Sequence, residues 1–152
     1  MKAQEPFALT ALIALIGVSG CVQQTEPINE LGLISYAVDG DTIRLSDGEY
    51  VRLIGINSTE SGEKCFEEAK KHLASLVNNR LASMQSDEEN RDKYGRLLRY
   101  VFVDDNFVNL ELVESGNAFA FRFEPNTLYS GEFALAEEQA RAAGKGCLWS
   151  KS

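Results

Sequence analysis

Two Asp-Gly pairs, Asp39-Gly40 and Asp47-Gly48, separate three short segments rich in β-branched and aromatic residues. Asp-Gly supplies the turn chemistry that tight hairpins need. Leu33–Val38, Thr42–Ser46 and Tyr50–Ile56 therefore read as a meander of three strands. A meander commits the chain to an antiparallel sheet that must bury one face. With 152 residues the chain can form one compact domain but not two comfortable ones.

The pattern then changes period. Glu63–Asn78 sets Phe66, Ala69, Leu73 and Leu76 at helical spacing. Arg80–Gln85 and Leu97–Val103 read as two further strands, joined by the polar stretch Ser86–Arg96. Phe107–Glu114 is predicted as a short helix stopped by Gly116, a residue suited to the C′ position. Gly131–Ala143 is predicted as the last helix, with Ser130 as its N-cap and Trp149 folding back on the core. Strands with a helix between the third and fourth predict an α+β, mainly β domain, an OB-fold five-stranded barrel with three helices.

The first thirty residues read differently. Phe7–Val18 holds twelve residues without a charge, too few to span a bilayer of about 30 Å as a helix. The run suits the apolar part of a signal peptide over residues 1–20, and Val18-Ser19-Gly20-Cys21 resembles a lipobox, at whose cysteine a prokaryotic lipoprotein is lipidated. A plain secretory signal or an uncleaved anchor are the alternatives. Residues 21–30 then form a polar tether, and residues 31–152 the domain. The expectation is an extracytoplasmic, membrane-anchored lipoprotein, with plain secretion as the alternative. Lipid on Cys21 leaves Cys65 and Cys147 as a candidate disulfide in an oxidising compartment; two unrelated buried thiols are the other reading.

Charge restricts the partners. The net charge is −8, and losing residues 1–20 removes one lysine (Lys2) and one acid (Glu5), leaving it unchanged. A broad basic face for nucleic acid is thereby excluded, so any phosphate recognition must be local. Three polar islands interrupt the core-like strands. They are Asp39–Thr42, Arg52 together with Asn57–Glu60, and Asp92–Arg96. Arginine forks bind phosphate oxygens and stabilise charge growing on them. Carboxylates can hold a hard cation, and a glutamate can take a proton from water. Each island alone reads as a turn, a surface ion pair or an ordinary loop. Their order on one predicted barrel points to phosphoryl chemistry. His72, the single histidine, reads as a solvated helix residue, and Asp87-Glu88-Glu89 as a soluble loop. The spacing of Phe119, Phe121 and Phe123 is strand-like.

Val38–Thr42 (VDGDT), Arg52–Glu60 and Asp92–Arg96 (DKYGR) resemble three signatures of the staphylococcal-nuclease-like, or thermonuclease, family. The resemblance continues through Val108–Ala118 to Gly146–Trp149. It implies a calcium-dependent endonuclease that hydrolyses DNA or RNA, holding one ion on an OB-fold barrel. By that resemblance Arg52, Glu60 and Arg96 are catalytic: the arginines clamp the scissile phosphate and Glu60 activates water. Asp41, Asn57 and, through its backbone carbonyl, Ser58 hold the metal, with Asp39 just outside. Lys93, Tyr94, Phe121 and Phe123 contact the nucleotide. Asn57 stands where the family carries a carboxylate, Thr59 where it usually has proline, and Phe121 and Phe123 near two tyrosines. These departures imply a weaker metal site and leave a catalytically weak or inactive nucleic-acid- or anion-binding lipoprotein as the alternative. A monomer is expected.

Overall fold

The computed structural model describes residues 29–151. In chain order the elements are β1 (Asn29–Ala37), β2 (Thr42–Leu45), β3 (Tyr50–Leu53), β4 (Ile56–Asn57) and α1 (Phe66–Val77). They continue with β5 (Leu81–Gln85), β6 (Leu97–Val103), β7 (Asn106–Phe107), α2 (Val108–Glu114), β8 (Phe119–Ala120), α3 (Ser130–Ala142) and α4 (Gly146–Trp149). The signal segment, Cys21 and most of the predicted tether lie outside the described residues. Asn29 and Glu30, the last two tether positions, already belong to β1, where Glu30 pairs with Arg99 at 2.7 Å.

Strands β3, β2, β1, β5 and β6 follow one another in the sheet, and a parallel pairing of β3 with β6 closes it into a five-stranded barrel. The fold is thus the predicted OB barrel, mixed α and β and mainly β. Alternation along each strand makes the interior. Val51 and Leu53 of β3 face in at 0% and 1% exposure, while Tyr50 and Arg52 face out. Ile34, Ile43, Leu98, Val101, Leu112 and Phe133 join that core. A break of register between Ile34 and Tyr36 bends β1 and sets Tyr36 on the outer surface.

Several local expectations shift. The strand predicted to Ile56 stops at Leu53, because Gly55 adopts φ +82° and turns the chain before β4. The first helix starts at Phe66, not Glu63, leaving residues 58–65 as a loop whose last residue, Cys65, has φ +73°. Ser130 is the first residue of α3 and not its cap; the cap position is Tyr129, with no side-chain capping bond. A fourth, single-turn helix, α4, follows α3. Trp149 does fold back, edge-on against Phe119 with ring centres 5.6 Å apart.

Three polar residues take on structural contacts that were not anticipated. Asn109 is fully buried, accepts from the Val101 amide at 2.9 Å and donates to the Ile54 carbonyl at 2.9 Å. It thus ties α2 to β6 and to the turn after β3, and a buried amide so bonded is not a liability. Asp87, read as part of a soluble loop, accepts from the Tyr100 hydroxyl at 2.9 Å and the Leu128 amide at 3.0 Å. His72 is half-buried, its Nε2 3.7 Å from Glu111 on α2, and so is not simply solvated.

Candidate active site

The turn Asp39–Asp41 between β1 and β2 brings two carboxylates to the barrel rim. Gly40 has to be glycine there: a Cβ would lie 2.6 Å from that of Ser58 and 2.8 Å from that of Ala69. The turn therefore packs directly on the β4 exit and on α1. The Asp39 carboxylate accepts the Asp41 amide at 2.9 Å, which fixes the turn.

Asp41 is buried and fully engaged. Its Oδ2 accepts the Ser58 amide at 2.8 Å and the Ser58 hydroxyl at 3.0 Å. Its Oδ1 accepts the Thr42 hydroxyl at 3.1 Å and lies 3.2 Å from Arg52 Nε. Arg52, on β3 opposite Thr42, also donates to the Leu53 and Ile56 carbonyls at 2.6 and 2.9 Å and to Asn57 Oδ1 at 2.9 Å. Its side chain is only 16% exposed. Burial pulls its guanidinium below the ordinary arginine value; Asp41 opposes that and Arg96 adds to it. Taken alone, the island of Arg52 reads as a surface ion pair; in the structure its partner is the buried Asp41, reached across the rim.

Arg96 reaches the same rim from the loop before β6. Its Nε donates to Asp92 at 2.7 Å, and its Nη1 reaches the Thr42 hydroxyl at 3.4 Å. The Asp92 carboxylate also accepts the backbone amides of Tyr94 and Arg96 at 2.9 and 3.0 Å. Burial opposes its ionisation, but the bonds from Arg96 and these amides hold its carboxyl below the usual range. Asp92 and Thr42 are positioning residues whose roles the sequence did not single out. The signal was the tight Asp-x-x-Gly-Arg turn, with Gly95 at φ +85°.

Arg52, Arg96, Phe121 and Phe123 line one pocket of about 120 Å³, floored by Leu53, Ile54 and Leu98. Phe121 is half exposed, whereas Phe123 packs partly on the core. The two rings sit 6.3 Å apart and tilted. Tyr94 is 74% exposed at the edge, with Lys93 Nζ 5.0 Å and the Arg96 guanidinium 5.5 Å from its ring centre. Glu60 is exposed in the loop after β4; its amide donates to the Glu63 carboxylate at 2.8 Å. Its own carboxylate makes no hydrogen bond or ion pair among the described residues.

A hard cation is consistent with part of this donor set. Asp39, Asp41 and the Asn57 amide supply oxygens, as the chemistry of calcium requires. Burial and the neighbouring Asp41 charge hold the Asp39 carboxyl above its usual range, a tension that a bound cation would relieve. Among the described residues no cluster of three or more His, Cys, Asp or Glu side chains forms such a site. The third side-chain donor here is the neutral Asn57, already bonded to Arg52. Cys65 and Cys147 are joined by a disulfide, their Cα atoms 5.5 Å apart, and it ties the end of the Glu60 loop to α4.

A closed OB barrel thus carries paired arginines and carboxylates together at its rim, the kind of groups that phosphate recognition uses. The chain belongs to the staphylococcal nuclease homologue family, whose sequence profile matches residues 50–151. It is 38% identical over 127 residues to Endonuclease YncB of Bacillus subtilis (strain 168), covering 76% of this chain and 60% of that protein. It is 38% identical over 127 residues to the SPbeta prophage-derived endonuclease YokF of the same organism, covering 76% of this chain and 43% of that one. To the Thermonuclease of Staphylococcus intermedius it is 34% identical over 130 residues, covering 77% of this chain and 75% of that protein. The chain thus spans only 60% and 43% of the two Bacillus relatives.

Proposed function

We propose that this chain is a nuclease that hydrolyses phosphodiester bonds of DNA or RNA. One observation carries the reading: Arg52 and Arg96 line one pocket beside the Asp39–Asp41 turn. The family relationship to proteins named endonuclease and thermonuclease supports it.

In this reading the scissile phosphate sits between Arg52 and Arg96, and the adjoining nucleotide rests on Phe121 and Phe123 at the pocket wall. Lys93 and Tyr94 meet a neighbouring phosphate at the exposed edge. Glu60, with its carboxylate unengaged, takes a proton from the water that attacks phosphorus in line with the departing oxygen. The new P–O bond forms as the old one breaks, and charge gathers on the phosphoryl oxygens. The arginines stabilise that charge, each by roughly 3–4 kcal/mol if it acts like other preorganised donors. Asp41, Asn57 and Ser58 are the residues that would hold calcium, with Asp39 behind them. The ion would supply positive charge to the phosphoryl oxygens.

The disulfide favours an oxidising compartment. This supports an extracytoplasmic protein, tethered through Cys21 in the lipoprotein reading. The bond from Arg52 to Asn57 favours one second reading, a module that binds nucleic acid without cutting it, since the clamp occupies an oxygen the metal would use.

Hydrolysis of denatured DNA by the purified protein, with calcium and with chelator, separates the two. Calcium-dependent cleavage that Arg52→Ala abolishes supports the nuclease. If wild type and Arg52→Ala are equally inert across a panel of divalent ions, the nuclease reading fails.

A further inference from the structure

The protein carries eight arginines, all among the described residues. Seven have a carboxylate partner: Arg52, Arg80, Arg91, Arg96, Arg99, Arg122 and Arg141. Arg44 has none. Its guanidinium lies 4.5 Å over the ring of Tyr50, and no acid of the described residues meets it. On a protein of net charge −8, an arginine left without an acid is a local exception.

The strand register shows where Arg44 sits. Tyr36 pairs with Arg44 across β1 and β2, and Arg44 pairs with Tyr50 across β2 and β3. Directly opposed residues share a sheet face, so Tyr36, Arg44 and Tyr50 form a row across three strands. Tyr36 is 47% and Tyr50 40% exposed. The acid next to Tyr50, Glu49, is already held by Arg91 at 2.7 Å.

This row lies on the same face as the phosphate clamp. Thr42 and Arg44 are two apart on β2, and Tyr50 and Arg52 two apart on β3, a step of about 7 Å along each strand. Thr42 pairs with Arg52 and bonds Arg96. The outer face therefore runs without interruption from the clamp to an aromatic–cation–aromatic row. Rings that stack on bases beside a cation that meets the backbone are the working parts of single-strand binding. OB-fold sites of this kind cover about 4–16 nucleotides, far more than one clamped phosphate.

We propose that Tyr36, Arg44 and Tyr50 form a subsite for single-stranded nucleic acid, on which the substrate strand continues after leaving the Arg52–Arg96 clamp. The proposal rests on the reading of the clamp as a phosphate site. Charge complementarity at Arg44 and continuity with the clamp select a polyanionic single strand over a protein or lipid partner. The row makes cleavage favour longer strands and leaves the chemistry at the clamp untouched.

The test is fluorescence anisotropy of the full chain with labelled dT12 and dT2 in chelator, so that binding is read without cleavage. Tyr36→Ala and Tyr50→Ala should each weaken dT12 binding about tenfold, with dT2 affinity unchanged. Tyr50→Phe, which keeps the ring, should restore dT12 binding. Arg44→Ala should lower the slope of log affinity against log salt by about 0.7, the loss of one phosphate contact to a single strand. Wild-type dT12 affinity in all three alanine variants overturns the proposal. So does an equal loss on dT2 and dT12, or the absence of dT12 binding by the wild type. If the wild type binds dT12 through the row yet cleaves nothing with calcium, the nuclease reading falls and the subsite stands.

Discussion

The Arg52 guanidinium donates to Asn57 Oδ1 at 2.9 Å while its Nε rests 3.2 Å from Asp41 Oδ1. One arginine thus bridges two side chains read as metal ligands, and one of the two is neutral. A carboxylate at position 57 would add a charge there and a second oxygen, so a cation could share that side chain with Arg52 more readily than it can share an amide's single oxygen. Asn57→Asp should therefore tighten calcium binding about tenfold, a modest fraction of what an added charge a few ångström from a divalent ion could supply. Titration calorimetry with calcium on both proteins measures it, and hydrolysis of denatured DNA should rise in parallel. Equal calcium affinities would show that position 57 does not face the ion.

Arg52 and Arg96 should separate when stability and activity are measured together. Arg52→Ala strands the buried Asp41 charge, and breaking a buried pair in this way costs roughly 3–5 kcal/mol. The Arg96 side chain is 30% exposed, and the Asp92 carboxylate it would leave keeps two backbone amides, so Arg96→Ala should cost less, about 1–2 kcal/mol of stability. Hydrolysis should nonetheless fall in both variants by about a hundredfold or more, the usual effect of removing one preorganised donor. Urea unfolding beside a cleavage assay makes the comparison. Equal stability losses would mean that the two arginines do not differ in burial as the structure has them.

Asp92 gives a pH signature. Its carboxyl is held below the ordinary value of 3.8 by the Arg96 side chain and two backbone amides. For an acid with a depressed folded pKa, the stabilisation is fully present above the unfolded value and is lost as pH falls through the folded one. Asp92→Asn should therefore destabilise the protein at pH 7 by about 2 kcal/mol, the scale of hydrogen bonds to a charged group. The difference from wild type should shrink as pH drops below about 4. Urea midpoints at the two ends of that range check the sign; a gap that widens in acid contradicts it.

The barrel was legible because its signals are local. Asp-Gly turns mark the strand ends, and alternation buries Val51 and Leu53 while it exposes Tyr50 and Arg52. The closure of β3 on β6 left no such mark, since nothing in either strand names its partner. The candidate site was legible only as three islands in order. That Arg52 takes Asp41 as its partner, and that Thr42 links Asp41 to Arg96, follows from cross-strand register. The unpaired state of Arg44 could not be read either, because ion pairing is decided between strands. The buried Asn109 had a faint trace, an asparagine among the apolar positions of α2.

The disulfide links the far end of the Glu60 loop to the last turn of helix. Gly146 sits at φ +61° against Gly116 at φ +70°; a Cβ on Gly146 would strike the Ser115 and Gly116 carbonyls, and one on Gly116 the Lys145 carbonyl. The Leu148 amide also donates to the Gly116 carbonyl at 3.2 Å, so α4 is held against the end of α2. Cys147 on α4 then fixes Cys65, which closes the loop that begins at Ser58. The crosslink spans 82 residues, and a closed loop of that length stabilises a fold by about 4 kcal/mol through the entropy it removes from the unfolded chain. Cys65→Ser with Cys147→Ser should lower the urea midpoint accordingly, and reducing the wild type should reproduce it. Well below the melting temperature, hydrogen exchange should quicken at the amides of residues 60–65, while those of β5 and β6 stay protected. Cleavage should fall in kcat more than in KM, because the loop carries Glu60 and not the phosphate clamp. If exchange in the loop is unchanged and kcat holds at that temperature, the disulfide serves global stability and has no part in placing Glu60.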